Sequence, residues 1–148
     1  KLLIRSTGVG SSKFIDDPDV PRCLIVTPSD TVTTEIKFTG LDISGAVITE
    51  NLTFADSSTA QTTTKAFMNV TRIDATTSGT TRTVDIGTAD KLALNKKFAT
   101  NPVVYCALDG TREATAPEVT VSSTVLAQNT IDTVTVPGGH VTKVWVLY

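Results

Sequence analysis

The side chains in this sequence that could carry chemistry are few: one histidine, two cysteines, a run of aspartates and four glutamates. His140 ends the stretch Pro137-Gly138-Gly139-His140. A hydrolytic triad or a metal centre would draw on it, but a Pro/Gly-rich stretch is a turn, and an exposed turn residue is expected. Zinc needs more His or Cys partners than the chain offers, and neither cysteine belongs to a C-x-x-C pair. Cys23 and Cys106 lie in the apolar runs Cys23-Leu24-Ile25-Val26 and Val103-Val104-Tyr105-Cys106. They are either two small buried hydrophobes or a disulfide between neighbouring strands, which requires a specific Cα spacing.

The acidic run Asp16-Asp17-Pro18-Asp19 offers oxygens of the kind calcium takes, but its spacing is not that of an EF-hand loop, and a solvated acidic turn is expected. Glu35, Glu50, Glu113 and Glu118 are the only glutamates and Trp145 the only tryptophan. A glycosidase pair stays open, with no sign of a sugar-stacking cleft. No Gly-rich loop leads to a Lys at a helix start, so the phosphate cradle is missing. The triplets at Asn51 and Asn69 match a glycosylation pattern, but 38 Ser and Thr among 148 residues make such matches by chance. The residues thus point to no catalytic centre, cofactor or metal.

The elements that would have to position any site are strands. The sequence holds 28 Thr, 17 Val and 9 Ile, against 4 Glu, 8 Lys and 1 Met. β-Branched residues favour strands and the scarce ones favour helices, which excludes a helix bundle or coiled coil. Val32, Thr34, Ile36 and Phe38 alternate with Thr33, Glu35, Lys37 and Thr39, the period of a half-buried strand. Turn residues at 40–45 lead into a return strand over 46–54, with Ile48, Leu52 and Phe54 on one face. Glu50 shares that face and predicts a bulge or an exposed strand end nearby. Residues 65–75 and 82–86 read as a second hairpin about Thr77-Ser78-Gly79-Thr80, with Met68 and Val70 on one face and Phe67 and Ile73 on the other. Leu92/Lys96 and Leu94/Phe98 have helical spacing, which predicts one helical turn within 88–100. Val103–Leu108 is apolar on both faces, as in a central or covered strand, and Asp109-Gly110 ends it. Strands are expected at 119–125, 131–136 and 141–148, the last two as a hairpin about Pro137–His140. The expected architecture is all-β: a β-sandwich or barrel-like domain of about eight or nine short antiparallel strands over 22–148, preceded by an extended N-terminal arm over 1–21.

Charge excludes some partners. With 13 basic and 15 acidic residues the net charge is −2, and no basic stripe offers a nucleic-acid footprint or a polybasic membrane patch. No apolar run is long enough to cross a bilayer as a helix, and Leu2-Leu3-Ile4 is too short for a signal peptide.

Three segments carry a resemblance. Pro21-Arg22-Cys23-Leu24-Ile25-Val26-Thr27 looks like an entry strand of the form PRR-apolar-T. Residues 36–50, Ile36-Lys37-Phe38-Thr39-Gly40-Leu41-Asp42 through Ile48-Thr49-Glu50, are similar to the pattern ITFTGTDxxGxxITE. Thr64-Lys65-Ala66-Phe67 through Val70-Thr71-Arg72-Ile73, followed by Gly87-Thr88-Ala89-Asp90-Lys91-Leu92, resembles TTKxFxxVTxI and GTxDKLGL. Ala93 departs from that last pattern, which often has Gly. Together these segments resemble a family of small tailed-phage virion structural proteins.

The resemblance implies a non-enzymatic virion protein, foremost a capsid decoration (cement) protein that binds the major capsid protein and neighbouring virion subunits. It also implies assembly in the host cytoplasm, a place on the capsid surface and a possible homotrimer. A tail or head–tail connector component, and a carbohydrate- or cell-surface-binding β-module, are the alternatives. The residues expected to touch a partner are Leu2, Leu3 and Ile4 in the arm and Val103, Tyr105 and Trp145 in the late strands.

Overall fold

The computed structural model of the chain describes residues 17–77, 83–133 and 142–147, and the backbone of 2–4 and 10–12. These residues are almost wholly strand. In chain order the strands are β1 (Leu2–Ile4), β2 (Gly10–Ser12), β3 (Arg22–Pro28), β4 (Val32–Leu41), β5 (Val47–Ser57), β6 (Gln61–Thr62) and β7 (Asn69–Thr77). There follow β8 (Val84–Ala93), β9 (Val103–Leu108), β10 (Thr111–Arg112), β11 (Glu118–Thr120), β12 (Thr130–Asp132) and β13 (Thr142–Val146). The one helical element among the described residues is a 3-10 turn at Leu126–Gln128.

The strands form three antiparallel sheets. The first runs β11-β12-β8-β3-β6, with β1 also on β8. The second runs β2-β7-β4-β5 and the third β10-β9-β13. In the first sheet β8 lies along β3 on one side. Its other edge is shared between β1, which meets Val84–Ile86, and β12, which meets Lys91–Ala93.

The first two sheets enclose the larger core. Leu24 and Val26 of β3 and Ile86 of β8 meet Ile36 and Phe38 of β4, Leu52 and Phe54 of β5, and Val70 and Ile73 of β7. Phe67, between β6 and β7, sets its ring 6.2 Å from that of Phe38. The alternation over Val32–Phe38 is borne out, since positions 32, 34, 36 and 38 are all buried. At about 25 cal/mol per Å² of apolar surface, each such Phe or Ile contributes about 1.5–3 kcal/mol.

Turn chemistry closes the hairpins. Between β4 and β5 the buried Asp42 carboxylate accepts hydrogen bonds from the Ser44 amide, the Ser44 hydroxyl and the Ala46 amide, at 2.8, 2.6 and 3.0 Å. Gly45 takes φ +82° there, a conformation that favours glycine. Between β9 and β10 the two residues Asp109 and Gly110 both have positive φ, 48° and 83°, as a type I′ turn requires.

Several expectations need correction. Residues 65–75 and 82–86 do not form a hairpin: β7 pairs with β4 and β2, while β8 pairs with β3, β1 and β12. The two strands cover one core from opposite sheets. The two-faced reading of 65–75 fails as well. Phe67 precedes the strand, and the β4–β7 ladder skips Thr71, pairing Thr39 with Arg72 and Gly40 with Val70. This bulge lets Val70 and Ile73 both point inward, and leaves Met68 exposed.

No helical turn forms within 88–100, because β8, flanked on both sides, stays extended to Ala93. Strand 119–125 stops at Thr120; β12 (Thr130–Asp132) lies in a different sheet from β13, and residues 134–136 of the expected strand lie outside the described residues. The Ser78–Thr80 turn, Arg82, Pro137–His140, Asp16 and Tyr148 lie outside the described residues. So does much of the arm. Its described parts, β1 and β2, are extended and paired antiparallel with β8 and β7 of the same chain.

The edge of β5 shows why Glu50 sits on an apolar face. No bulge is needed next to it. Its carboxylate accepts from the amides of Thr64 and Lys65 at 2.6 and 2.9 Å. Lys65 Nζ donates to the Thr49 carbonyl at 2.6 Å, and Gln61 Nε2 to the Thr53 carbonyl at 3.0 Å. Residues 61–65 thus cover one sheet's open edge while β6 pairs with the other sheet, and the larger core is closed on that side. Thr63 continues the junction: its hydroxyl accepts from the Leu24 amide at 2.9 Å and donates to the Lys65 carbonyl at 2.9 Å.

Gly40 sits at the β4–β7 bulge. A Cβ there would collide with the Asn69 carbonyl oxygen and come within 2.9 Å of Phe67 Cδ1. Gly40→Ala is expected to lower stability by about 1–3 kcal/mol, the usual cost of overpacking, read as a lower urea midpoint. An unchanged midpoint would mean that the bulge does not need a glycine.

Candidate partner-binding face

The third sheet stands over a smaller core. Cys106, Val144 and Val146 point inward and pack with Leu94, Phe98, Ile131 and Val119. The loop segments under this sheet have no strand neighbours, so their backbone groups need other partners. One residue supplies several of them. Asn129 is fully buried. Its Nδ2 donates to the carbonyls of Ser122, Val125 and Leu126 at 2.9, 2.9 and 3.2 Å. Its Oδ1 accepts from the amides of Phe98 and Ser122 at 3.0 and 2.9 Å. These bonds, with the Ser122 hydroxyl accepting from the Val125 amide at 3.0 Å, bend the chain where an unbroken strand was expected.

On the other side of this sheet lie three of the six exposed large hydrophobic side chains found among the described residues. Directly opposed strand residues point the same way, and so do positions two apart. Arg112, Ala107 and Lys143 form one cross-strand row, and Tyr105 and Trp145 the next. The Tyr105 and Trp145 rings are 5.1 Å apart and tilted by 41°. The Arg112 guanidinium lies 5.9 Å above the Tyr105 ring centre, within cation–π range. The ladder then shifts, pairing Val146 with Val103, so Val104 is left over as a bulge residue. Val104, Trp145 and Leu147 are 52%, 65% and 68% exposed.

Two shallow grooves meet at Val104. One, of about 550 Å³, runs past Tyr105, Arg112 and Glu113 to Pro117. The other, of about 570 Å³, is bordered by Lys96, Lys97, Phe98, Pro102 and Leu147.

The six residues singled out from the sequence divide here. Tyr105 and Trp145 come together on the outer face. Val103 does not join them: it is half-buried against the smaller core, because the bulge turns it inward and turns Val104 out. Leu2, Leu3 and Ile4 lie in β1, opposite Ile86, Asp85 and Val84 of β8, in a different sheet. Sequence reasoning missed Val104, Leu147, Arg112 and Lys143. Leu147 was readable as the next outward position after Trp145, but the bulge at Val104 has no signature in a run of apolar residues.

The titratable groups do not assemble a reactive centre. Both cysteines are free and buried, so no disulfide forms. Burial pushes the Cys23 thiol up to about 12, with a hydrogen bond to Thr63 opposing the rise. Burial, joined by a hydrogen bond to Glu113 and that group's charge, pushes Cys106 up to about 11. Such thiols stay protonated and unreactive near neutrality. Asp132 is raised by burial, with Lys91 at 3.9 Å opposing. No group of three His, Cys, Asp or Glu among the described residues could hold a metal ion, and no described helix is long and apolar enough to cross a membrane. No family model, curated protein or solved structure matches the chain.

The raised thiols set a direction for pH dependence. The folded state keeps both protonated while the unfolded chain releases those protons near its ordinary value of 9.0. Their contribution is therefore complete below pH 9 and is lost as pH rises towards 11–12. The stability of the wild type relative to Cys23→Ala is expected to fall between pH about 8 and about 11. A constant difference in urea titrations across that range would contradict it.

Proposed function

We propose that this protein is a non-enzymatic structural component of a tailed-virus particle, a capsid decoration protein that docks on the major capsid protein lattice. The observation that carries the reading is the outer face of the third sheet. Val104 of β9 and Trp145 of β13 stand exposed together with Leu147, which directly follows β13. Single exposed apolar residues are ordinary, whereas a contiguous apolar patch rimmed by polar groups marks an interaction site. The three segments that resemble small tailed-phage virion proteins support the particle as its setting. Those segments lie in the β3–β8 body, so the body serves as scaffold and the third sheet as the docking element. Assembly in the host cytoplasm, display on the capsid surface and a trimeric state belong to the same proposal.

The sequence alone assigns docking to the arm as well. With β1 and β2 paired to the chain's own sheets, the arm's backbone is engaged at home and the sheet face takes the principal role. A connector or tail ring remains the same class of function at another place. Stoichiometry separates the two: a lattice protein is present on the order of hundreds of copies per particle, a ring protein in six or twelve, as closed cyclic symmetry dictates.

One observation favours a second reading, a carbohydrate-binding module: Trp145 and Tyr105 form an exposed aromatic pair. The tilt between their rings makes a poor flat platform for a sugar.

Trp145 is the only tryptophan, so its emission reports the face directly. In the free protein it is expected to be readily quenched by acrylamide. Adding purified heads of the source virus should protect it, and Trp145→Ala should reduce co-sedimentation with those heads at least tenfold while leaving the far-ultraviolet circular dichroism unchanged. Undiminished co-sedimentation of Trp145→Ala would overturn this docking face. Protection by soluble polysaccharide instead of heads would favour the carbohydrate reading.

A further inference from the structure

An arginine occupies a core-facing position. Arg22 of β3 pairs with Leu92 of β8, Leu92 with Ile131 of β12, and Ile131 with Val119 of β11. Directly opposed residues point the same way, and Leu92, Ile131 and Val119 all pack in the smaller core. The Arg22 side chain therefore enters the gap beneath the third sheet, where it is only 7% exposed. Thr142 enters the same gap from the opposite sheet. It stands two positions before Val144, which packs in the smaller core, so its side chain points the same way as that of Val144.

The guanidinium is incompletely satisfied. Both Asp19 oxygens approach one nitrogen, Nη2, at 2.8 and 2.9 Å. Among the described residues, Arg22 Nε and Thr142 Oγ1 are both buried without a hydrogen-bond partner. Buried polar groups are rarely left so. Arg22 and Thr142 border one cavity of about 220 Å³, walled by Val20, Pro21, Leu92 and Ala93, with Asp19 at its margin. The nearby main chain is already engaged. The Pro21 carbonyl accepts from the Ala93 amide at 2.8 Å, and the Arg22 amide and carbonyl both bond to Phe67. The Asp19 side chain is 68% exposed, so solvent screens its charge. What remains in the gap is a cationic donor facing a hydroxyl.

We propose that Arg22 and Thr142 bind a small tetrahedral oxyanion, of the phosphate or sulfate class, in the gap between β3 and β13. Its oxygens accept from Arg22 Nε and from the Thr142 hydroxyl. Charge-assisted bonds of this kind are strong, and the arginine fork matches oxyanion geometry. The guanidinium repels cations. The cavity lies below the roughly 300–1,000 Å³ of pockets for drug-sized ligands, which fits a free ion better than a nucleotide. The bound ion joins β3 of the body to the first residue of β13, so occupancy holds the third sheet on the body. This site is separate from the outer face of that sheet and does not depend on what docks there.

Sodium phosphate and sodium sulfate are each titrated into the full chain by calorimetry near neutral pH, with sodium chloride holding the ionic strength. At least one is expected to bind saturably, with a Kd of about 1 mM or tighter. Thr142→Val should weaken that binding at least fivefold, and Arg22→Lys at least tenfold, with unchanged circular dichroism. If Arg22→Lys loses its fold, Thr142→Val decides, since it removes the hydroxyl and keeps the branch. Binding should also raise the urea midpoint of the wild type to a plateau. The general stabilisation that these salts give any protein does not saturate and is the same in Thr142→Val. Equal affinity of wild type and Thr142→Val, no binding of either salt, or equal and unsaturated stabilisation of both proteins would overturn the proposal and leave the gap to ordered water. Tighter binding of acetate than of either salt would overturn it by assigning the gap to a carboxylate.

Discussion

A single buried carboxamide, that of Asn129, ties together the loops beneath the proposed docking sheet. Beneath the third sheet the chain runs through residues 94–102 and 121–129 without the regular ladder that would satisfy its amides and carbonyls. Buried backbone groups left without partners cost about 1–3 kcal/mol each. Asn129, with both a donor and an acceptor on one short side chain, meets five such needs. Its backbone carbonyl adds a bond from the Leu94 amide at 2.7 Å. Two residues earlier the Ala127 carbonyl accepts from the Ala66 amide at 2.8 Å, which ties this loop to the body around the larger core. The Phe98 bond anchors the loop that carries Lys96 and Lys97, so the rim of the docking face is placed from below by the same residue.

The two halves of the structure treat their strand edges differently, and the difference fits the division of labour proposed for them. Around the larger core, loose edges are covered: β8 has pairing on both sides, β5 has its carbonyls occupied by side chains from 61–65, and Thr63 lends its hydroxyl where the β3–β6 ladder ends. These contacts turn two sheets into one enclosed body. The third sheet is built from fewer and shorter strands and keeps large apolar groups facing outward. Stability is concentrated in the body and exposed apolar surface on the docking sheet.

Much of the fold class was legible in the residues, and the reasons are local. The alternation of Val32, Thr34, Ile36 and Phe38 marks a strand with one buried face whatever its neighbours are. Asp42 and Gly45, and Asp109 with Gly110, carry turn chemistry in their own side chains and backbones. What could not be read was set by distant partners. Residues 92–98 have helical spacing, but the chain stays extended to Ala93 between β3 and β12 and forms no helical turn beyond it. The neighbour of β7 was misjudged because pairing is decided by which faces must close a core, and not by closeness in sequence. At the candidate site, Trp145 and Tyr105 were visible as aromatic residues in strands. The exchange of Val103 for Val104 was not, since a bulge one residue long leaves no trace in an apolar run.

The order in which the ladders can close follows from their spacing along the chain. The β4–β5 hairpin joins strands separated only by residues 42–46, with Asp42 already organising the turn. The β3–β8 ladder must bring together segments with three other long strands, β4, β5 and β7, between them. The β9–β13 ladder must close over the whole of residues 109–141, and its underlying loops gain their bonds only when Asn129 is in place. Since closing a longer loop costs more chain entropy before any contact rewards it, the hairpin is the natural nucleus and the docking sheet a late arrival. The proposed binding face thus comes into being only after the body beneath it has formed, so a nascent or partly folded chain lacks the assembled surface with which to engage its partner.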